Sequence, residues 1–115
     1  MPKNIRIERL NHAFLEEISK ILMEEVKDED LKFITITEVN ITNDLSYAKV
    51  YFTVLEEERK KEVEKSLNNA ASFIRGKLSE RIEIRHTPEL RFIYDESGEY
   101  GERIDNILNK LKENK

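Results

Sequence analysis

Cysteine is absent from the chain, which removes disulfides, thiolate nucleophiles and zinc ribbons from consideration together. Missing too is any apolar run near the roughly 18 residues that a membrane span requires. The opening Met1-Pro2-Lys3-Asn4-Ile5-Arg6 lacks the apolar stretch of a secretion signal, so a cytoplasmic protein without membrane contact is expected. No Gly-x-Ser-x-Gly elbow and no phosphate-binding glycine loop occur. The two histidines, His12 and His86, have no cysteine partner, and the second precedes Pro88 in what reads as a loop. Asp95, Glu96 and Glu99 form the one carboxylate group that could hold a divalent ion, and a solvated turn is the better reading. No catalysis, cofactor or metal site is therefore expected.

Excess positive charge is also missing: 20 Lys and Arg stand against 24 Asp and Glu, a net charge of −4. That balance alone argues against a nucleic-acid partner, but the charges are unevenly spread. From Asp28 to Glu64 there are ten acidic residues and five basic ones. From Arg75 to Arg91 the sign reverses, with Arg75, Lys77, Arg81, Arg85 and Arg91 facing only Glu80, Glu83 and Glu89. Salt screening confines each field to about 8 to 10 Å, so a bipolar molecule can offer its basic side to phosphate while its acidic side stays away.

What is present is enough for one small core. The 115 residues, 38% apolar and 38% charged, suit a single two-layer domain over residues 1–115. Ile7, Leu10, Phe14, Ile18, Ile21, Leu22 and Val26 recur at steps of three and four, which predicts an amphipathic helix over 5–26, ended by the charge run Lys27-Asp28-Glu29-Asp30. Phe33 to Thr42 and Ser46 to Leu55 read as a hairpin about Asn43-Asp44-Leu45. In its second strand Ala48, Val50, Phe52 and Val54 form the core-facing row. The first strand breaks parity, because Ile34 and Ile36 alternate out of phase with Phe33, Val39 and Ile41, so it needs a bulge or a partly covered outer face.

Glu57 to about Glu80 predict a second helix with Val63, Leu67, Ala70, Ala71, Ile74 and Leu78 buried. Phe73 lies off that stripe, and Asn68-Asn69-Ala70-Ala71-Ser72 is a weak helix former. A kink near Ala71 or Ser72 would turn Phe73 into the core; a straight helix would leave it partly exposed. Pro88 excludes helix around 86–89. Leu90, Phe92 and Tyr94 alternate with Glu89, Arg91 and Ile93 as a third strand, and Tyr100, Ile104, Ile107, Leu108 and Leu111 predict a last amphipathic helix before a solvated tail over 112–115. The expected order is α-β-β-α(kinked)-β-α, an α+β fold.

With that order in place, several blocks become recognisable. They are Arg6-x-x-Arg9, Thr37-Glu38-Val39-Asn40-Ile41-Thr42-Asn43-Asp44-Leu45-Ser46-Tyr47-Ala48-Lys49-Val50-Tyr51, Ala70-Ala71-Ser72-Phe73-Ile74-Arg75, Arg85-His86-Thr87-Pro88-Glu89-Leu90-Arg91-Phe92-Ile93-Tyr94-Asp95, and Arg103-Ile104. Together they resemble the bacterial ribosome-binding factor A family, from Arg6 to Leu111. The resemblance implies a type II K homology fold, with helices on one face of a three-stranded sheet. It also implies a biogenesis factor that binds the immature 30S subunit and its 16S rRNA and assists processing of the rRNA ends, particularly in the cold. A monomer is expected, with ribosomal proteins or an assembly GTPase as further partners. The sequence departs from the family at its bent helix, where Ser72 stands in place of glycine in the motif Ala70-Ala71-Ser72.

The expected RNA contacts follow from residue chemistry and position. Guanidinium forks and ammonium groups at Arg75, Lys77, Arg81 and Arg85 suit phosphate oxygens beside the kink, against a bland alternative in which Glu80 and Glu83 pair with them. Ser72 and Asn69 could hydrogen-bond phosphate or ribose, though such residues more often cap a helix. Lys49 and Arg91 beside Tyr47 and Tyr51 offer a basic, aromatic face of the kind bases stack on; cross-strand packing is the commoner cause of such a grouping. Arg6 and Arg9 on the first helix either reach RNA or pair with the acidic turn that follows. A rival from another class is a module whose acidic side docks a basic protein.

Overall fold

The computed structural model describes residues 5–26, 31 and 33–96. The final helix expected over 100–111, the tail over 112–115, the charge run 27–30 and Glu99 lie outside the described residues. Within them the order is α1 (Ile5–Glu24), β1 (Ile34–Ile41), β2 (Tyr47–Val54), α2 (Lys60–Asn69), α3 (Ala71–Arg81) and β3 (Glu89–Tyr94), with a short 3-10 turn at Glu57–Arg59 leading into α2. The sheet order is β1-β2-β3, antiparallel in the first pair and parallel in the second. This is the α+β arrangement expected, through β3.

One continuous core explains the placement. α1 buries Phe14, Ile18, Ile21 and Leu22, all from its three-and-four stripe, against the face of the sheet that carries Val39, Ile41, Ala48, Val50, Phe52 and Phe92. Val63 and Leu67 of α2 and Ile74 and Leu78 of α3 close the same core. Each such side chain taken from water contributes roughly 1.5–3 kcal/mol before chain entropy is counted.

The parity conflict in β1 is settled by a bulge. Ile36 pairs with Phe52 and Glu38 with Tyr51, so Thr37 is the extra residue. An inserted residue flips the side-chain alternation beyond it, which lets Ile36, Val39 and Ile41 all face inward. Thr37 then donates its hydroxyl to Asp95 Oδ2 at 2.7 Å, and Asp95 N–H donates to Phe52 O at 2.8 Å. The bulge is thus tied to the end of β3 across the intervening strand.

The hairpin turn is held by polar side chains around a strained residue. Leu45 has φ 61°, the left-handed region that a bulky residue rarely enters. Thr42 Oγ1 donates to Asp44 Oδ1 at 2.8 Å. Ser46 N–H donates to both oxygens, at 3.1 and 3.0 Å, and Leu45 N–H donates to Thr42 O at 2.9 Å. The Leu45 side chain packs on the margin of the core.

Candidate nucleic-acid interface

The helix following the hairpin is broken, one residue earlier than expected. Ala70, at φ −92° and ψ 0°, sits between α2 and α3. Its N–H donates back to Ser66 O and Leu67 O, and its carbonyl accepts the Ile74 N–H at 3.0 Å. α3 is therefore a new helix with its own N-terminus, and Ala70 supplies no capping side chain. The first turn of α3 thus begins without the side-chain cap that such amides ordinarily use. Ser72 and Asn69 lie exposed at this break.

The break does not bring Phe73 into the core. It remains 48% exposed, with Lys77 Nζ 5.6 Å from its ring centre. The bend turns Ile74 and Leu78 inward instead, and at 100° per residue Phe73 stays on the flank.

The expected cluster on α3 is split by the same geometry. Arg75 is about 200° around the helix from Lys77 and about 240° from Arg81, so these side chains leave on opposite flanks. Arg75 turns toward β3, where its Nε and Nη2 donate to Thr87 O at 2.9 and 2.7 Å. Arg81 turns toward α1, where Nη1 meets Glu17 Oε1 at 3.2 Å and Nη2 meets Glu24 Oε1 at 3.2 Å and Glu25 Oε2 at 2.6 Å. Lys77 Nζ lies 3.4 Å from Glu25 Oε1. The hydrogen bond from Arg81 is the main reason the Glu25 carboxyl sits below its ordinary value of 4.5, with burial opposing and Lys77 assisting; the same contacts push the Arg81 guanidinium upward. Carboxylates of α1 and of Glu25 just after it, rather than Glu80 and Glu83, hold these two cations. Sequence spacing could not have shown this, since the partners are over fifty residues away.

A different set of cations faces outward. Arg91 and Lys49 are register neighbours on the side of the sheet opposite the helices, and Arg91 Cζ lies 5.1 Å from the Tyr47 ring centre, within cation–π range. Asn40 pairs with Lys49 from the other side. Arg85 is exposed in the loop before β3. Arg85, Lys49, Arg6 and Arg9 have no carboxylate partner among the described residues. Arg6 and Arg9 lie exposed on α1, on an element that packs on β1 at the other edge of the sheet; the acidic turn expected as their partner is outside the described residues.

β3 organises the outward set. It is an edge strand, and the broken helix runs along its open side: the Asn68 amide bonds to Phe92 before the break, and the Arg75 guanidinium bonds to Thr87 after it. The break at Ala70, Ala71 and Ser72 therefore lies beside the first half of β3. Arg85 precedes that half, Arg91 belongs to it, and Tyr47 and Lys49 pair with it. Uncapped amides, two exposed arginines, a lysine and a tyrosine thus share one end of the sheet. These are donors and a π surface, the groups that phosphate and unstacked bases take. The carboxylates once considered as a metal site are engaged otherwise, Asp95 by Thr37 and Glu96 by Lys60 Nζ at 3.7 Å; among the described residues no three potential ligands converge.

The chain is similar to proteins of one family along nearly its whole length. The ribosome-binding factor A family matches residues 6–108. Ribosome-binding factor A of Staphylococcus epidermidis is 46% identical, over 96% of this chain and 97% of its own. That of Halothermothrix orenii is 42% identical, over 96% and 92%. Among solved structures, a putative ribosome-binding factor A of Thermotoga maritima, determined by solution NMR, aligns with a TM-score of 0.72 at 28% identity, covering 86% of this chain and 95% of that one. A Thermus thermophilus ribosome-binding factor A, built by homology and fitted into the cryo-electron-microscopy map of a 30S complex, aligns with a TM-score of 0.57 at 26% identity, over 80% and 93%. A fold, a bent helix beside an edge strand and sequence identity above 40% with curated relatives agree: the chain belongs to the ribosome-binding factor A family.

Proposed function

We propose that this protein is a cytoplasmic small-subunit biogenesis factor. It binds the immature 30S particle, contacts 16S rRNA, and assists late maturation and processing of the rRNA ends, including in the cold. Family membership over residues 6–108 supports the partner, as does the relative placed in a 30S complex. The observation that carries the RNA contact is the pairing of Lys49 with Arg91 on the outer sheet face, with Tyr47 against the arginine. Two cations held side by side repel each other, and an RNA phosphate between them removes that cost.

The proposed RNA-facing residues are Arg85, Arg91, Lys49, Ser72 and Asn69, with the remaining donors of Arg75. Arg81 and Lys77 serve the α1–α3 junction. The protein acts as a monomer by binding energy alone, stabilising one conformation of the maturing subunit and so shifting its population, with no cofactor and no bond cleavage of its own. If about three to five phosphates are neutralised, the log–log dependence of affinity on salt has a slope of roughly −2 to −4.

Labelled protein titrated against intact 30S subunits, naked 16S rRNA and nuclease-treated subunits tests the reading. Binding to the first two that is lost on the third is expected. Affinity that survives the nuclease and ignores salt would transfer the contact to a ribosomal protein or an assembly GTPase.

A further inference from the structure

Away from the basic end, the described residues leave a groove of about 600 Å³ open at the far end of the sheet, lined by Met23, Phe33, Ile34, Val54 and Leu55 with Thr35 and Thr53. Met23 is 83% exposed, Leu55 77% and Phe33 76%. Single exposed apolar side chains are ordinary, but three large ones around one groove mark a surface that something covers. The RNA contact makes no use of it, and only its floor, Ile34 and Val54, belongs to or packs on the core.

The exit of the chain from β3 identifies the occupant. β3 runs parallel to β2, so the chain leaving it travels in the direction in which β2 runs toward Leu55. Asp95 N–H is bonded to Phe52 O, which sets the departing chain level with Thr53, already a lining residue. The five residues from Glu96 to Tyr100 reach up to about 17 Å, several times the spacing of about 4.8 Å between adjacent strands. Beyond them Tyr100, Ile104, Ile107, Leu108 and Leu111 recur at the spacing of one helical face. Charge is compatible as well: Glu56, Glu57 and Glu58 directly follow Leu55, and although Glu102 and Asp105 balance Arg103 and Lys110 within 100–111, the residues after Asp105 carry Lys110, Lys112 and Lys115 against Glu113 alone.

We propose that residues 100–111 form a helix that lays its apolar stripe into the groove of Met23, Phe33 and Leu55 on the same molecule. The helix completes the domain at the end opposite the RNA contacts, and the lysines at and after its end lie toward the acidic stretch after β2. The inference stands apart from RNA binding, since neither the groove nor the segment contains a residue assigned to that contact.

Met1 and Met23 are the only methionines in the chain, so the Met23 methyl is an isolated probe. In the full-length protein, labelled at Met, Ile and Leu methyls, nuclear Overhauser contacts are expected from Met23 to Ile104 or Leu108, unchanged on dilution. Ile104→Asp combined with Leu108→Asp should abolish these contacts and move the Met23 signal to the position of a solvated methionine. A wild-type Met23 with no contact to residues 100–111 overturns the proposal. So do contacts that appear only between differently labelled molecules, which would make a second copy the occupant.

Discussion

Asn68 stands beside Phe92 in the place a fourth strand would take. Its Nδ2 donates to Phe92 O at 3.0 Å and its Oδ1 accepts the Phe92 N–H at 2.9 Å, while Glu64 Oε2, one turn earlier, accepts the Tyr94 N–H at 2.9 Å. Two side chains of α2 thus occupy the open side of β3. An edge strand left bare invites pairing with other chains, so this contact both fastens the broken helix and closes the sheet.

Asn68→Ala is therefore expected to cost about 1–2 kcal/mol, the loss of two hydrogen bonds to partly buried backbone groups that water reaches only in part. Asn68→Asp, which sets a carboxylate oxygen against Phe92 O where the donor stood and one turn from Glu64, should cost at least as much. Urea midpoints at constant m-value measure both.

Gly76 lies inside α3, where an added Cβ would meet nothing within 4 Å. Gly76→Ala should stabilise the protein by about 0.5–1 kcal/mol through helix propensity alone. The hydrogen bond from Ser79 Oγ to Gly76 O at 2.7 Å uses backbone that the substitution leaves in place. Thermal or urea denaturation reads the gain.

Acid should weaken the fold at two identifiable carboxylates. Asp44 sits below its ordinary 3.8 because the Thr42 hydroxyl, and then the Ser46 N–H, bond to its charged form; Glu25 sits below 4.5 chiefly through Arg81. Because both folded values are depressed, the stabilisation is complete above the unfolded values and drains away as pH falls through the folded ones. Asp44→Asn and Glu25→Gln should each lower the urea midpoint at neutral pH and flatten its decline between about pH 5 and 2. An undiminished decline in both variants would place the acid sensitivity elsewhere.

Binding and stability should separate among the arginines. Arg85→Gln and Arg91→Gln are each expected to weaken 30S binding and to reduce the salt slope by about one, with little change in the unfolding midpoint. Arg81→Gln should do the reverse, leaving the slope intact while loosening α1 from α3. Arg81→Glu would set a fourth carboxylate among Glu17, Glu24 and Glu25 and should impair folding, so it cannot serve as a test of RNA contact. Filter binding over a salt series, paired with denaturation of each variant, distinguishes the two outcomes.

The linear order of residues settled whatever depends on local periodicity. The three-and-four stripe of α1, the alternation of Ala48, Val50, Phe52 and Val54, the strand after Pro88 and the weakness at Asn69 to Ser72 all concern neighbours within one or two turns, and each reappears in the fold. The family was legible for the same reason, since its blocks are contiguous runs. Only the tertiary structure decided which cations are spent. Arg81 lies 64 residues from Glu17, and nothing in the 75–91 stretch reveals that α1 and the residue after it bring three carboxylates to it. The choice of a bulge at Thr37 depended on a hydroxyl finding Asp95 58 residues away, and the break at Ala70 kept Phe73 outside because Ile74 and Leu78 claimed the core. Charge acts through space while sequence patterns act along the chain, so a cluster written in sequence became two flanks of a helix, and the cations left exposed near the start of β3 are Lys49 and Arg91, paired across strands, and Arg85 in the preceding loop.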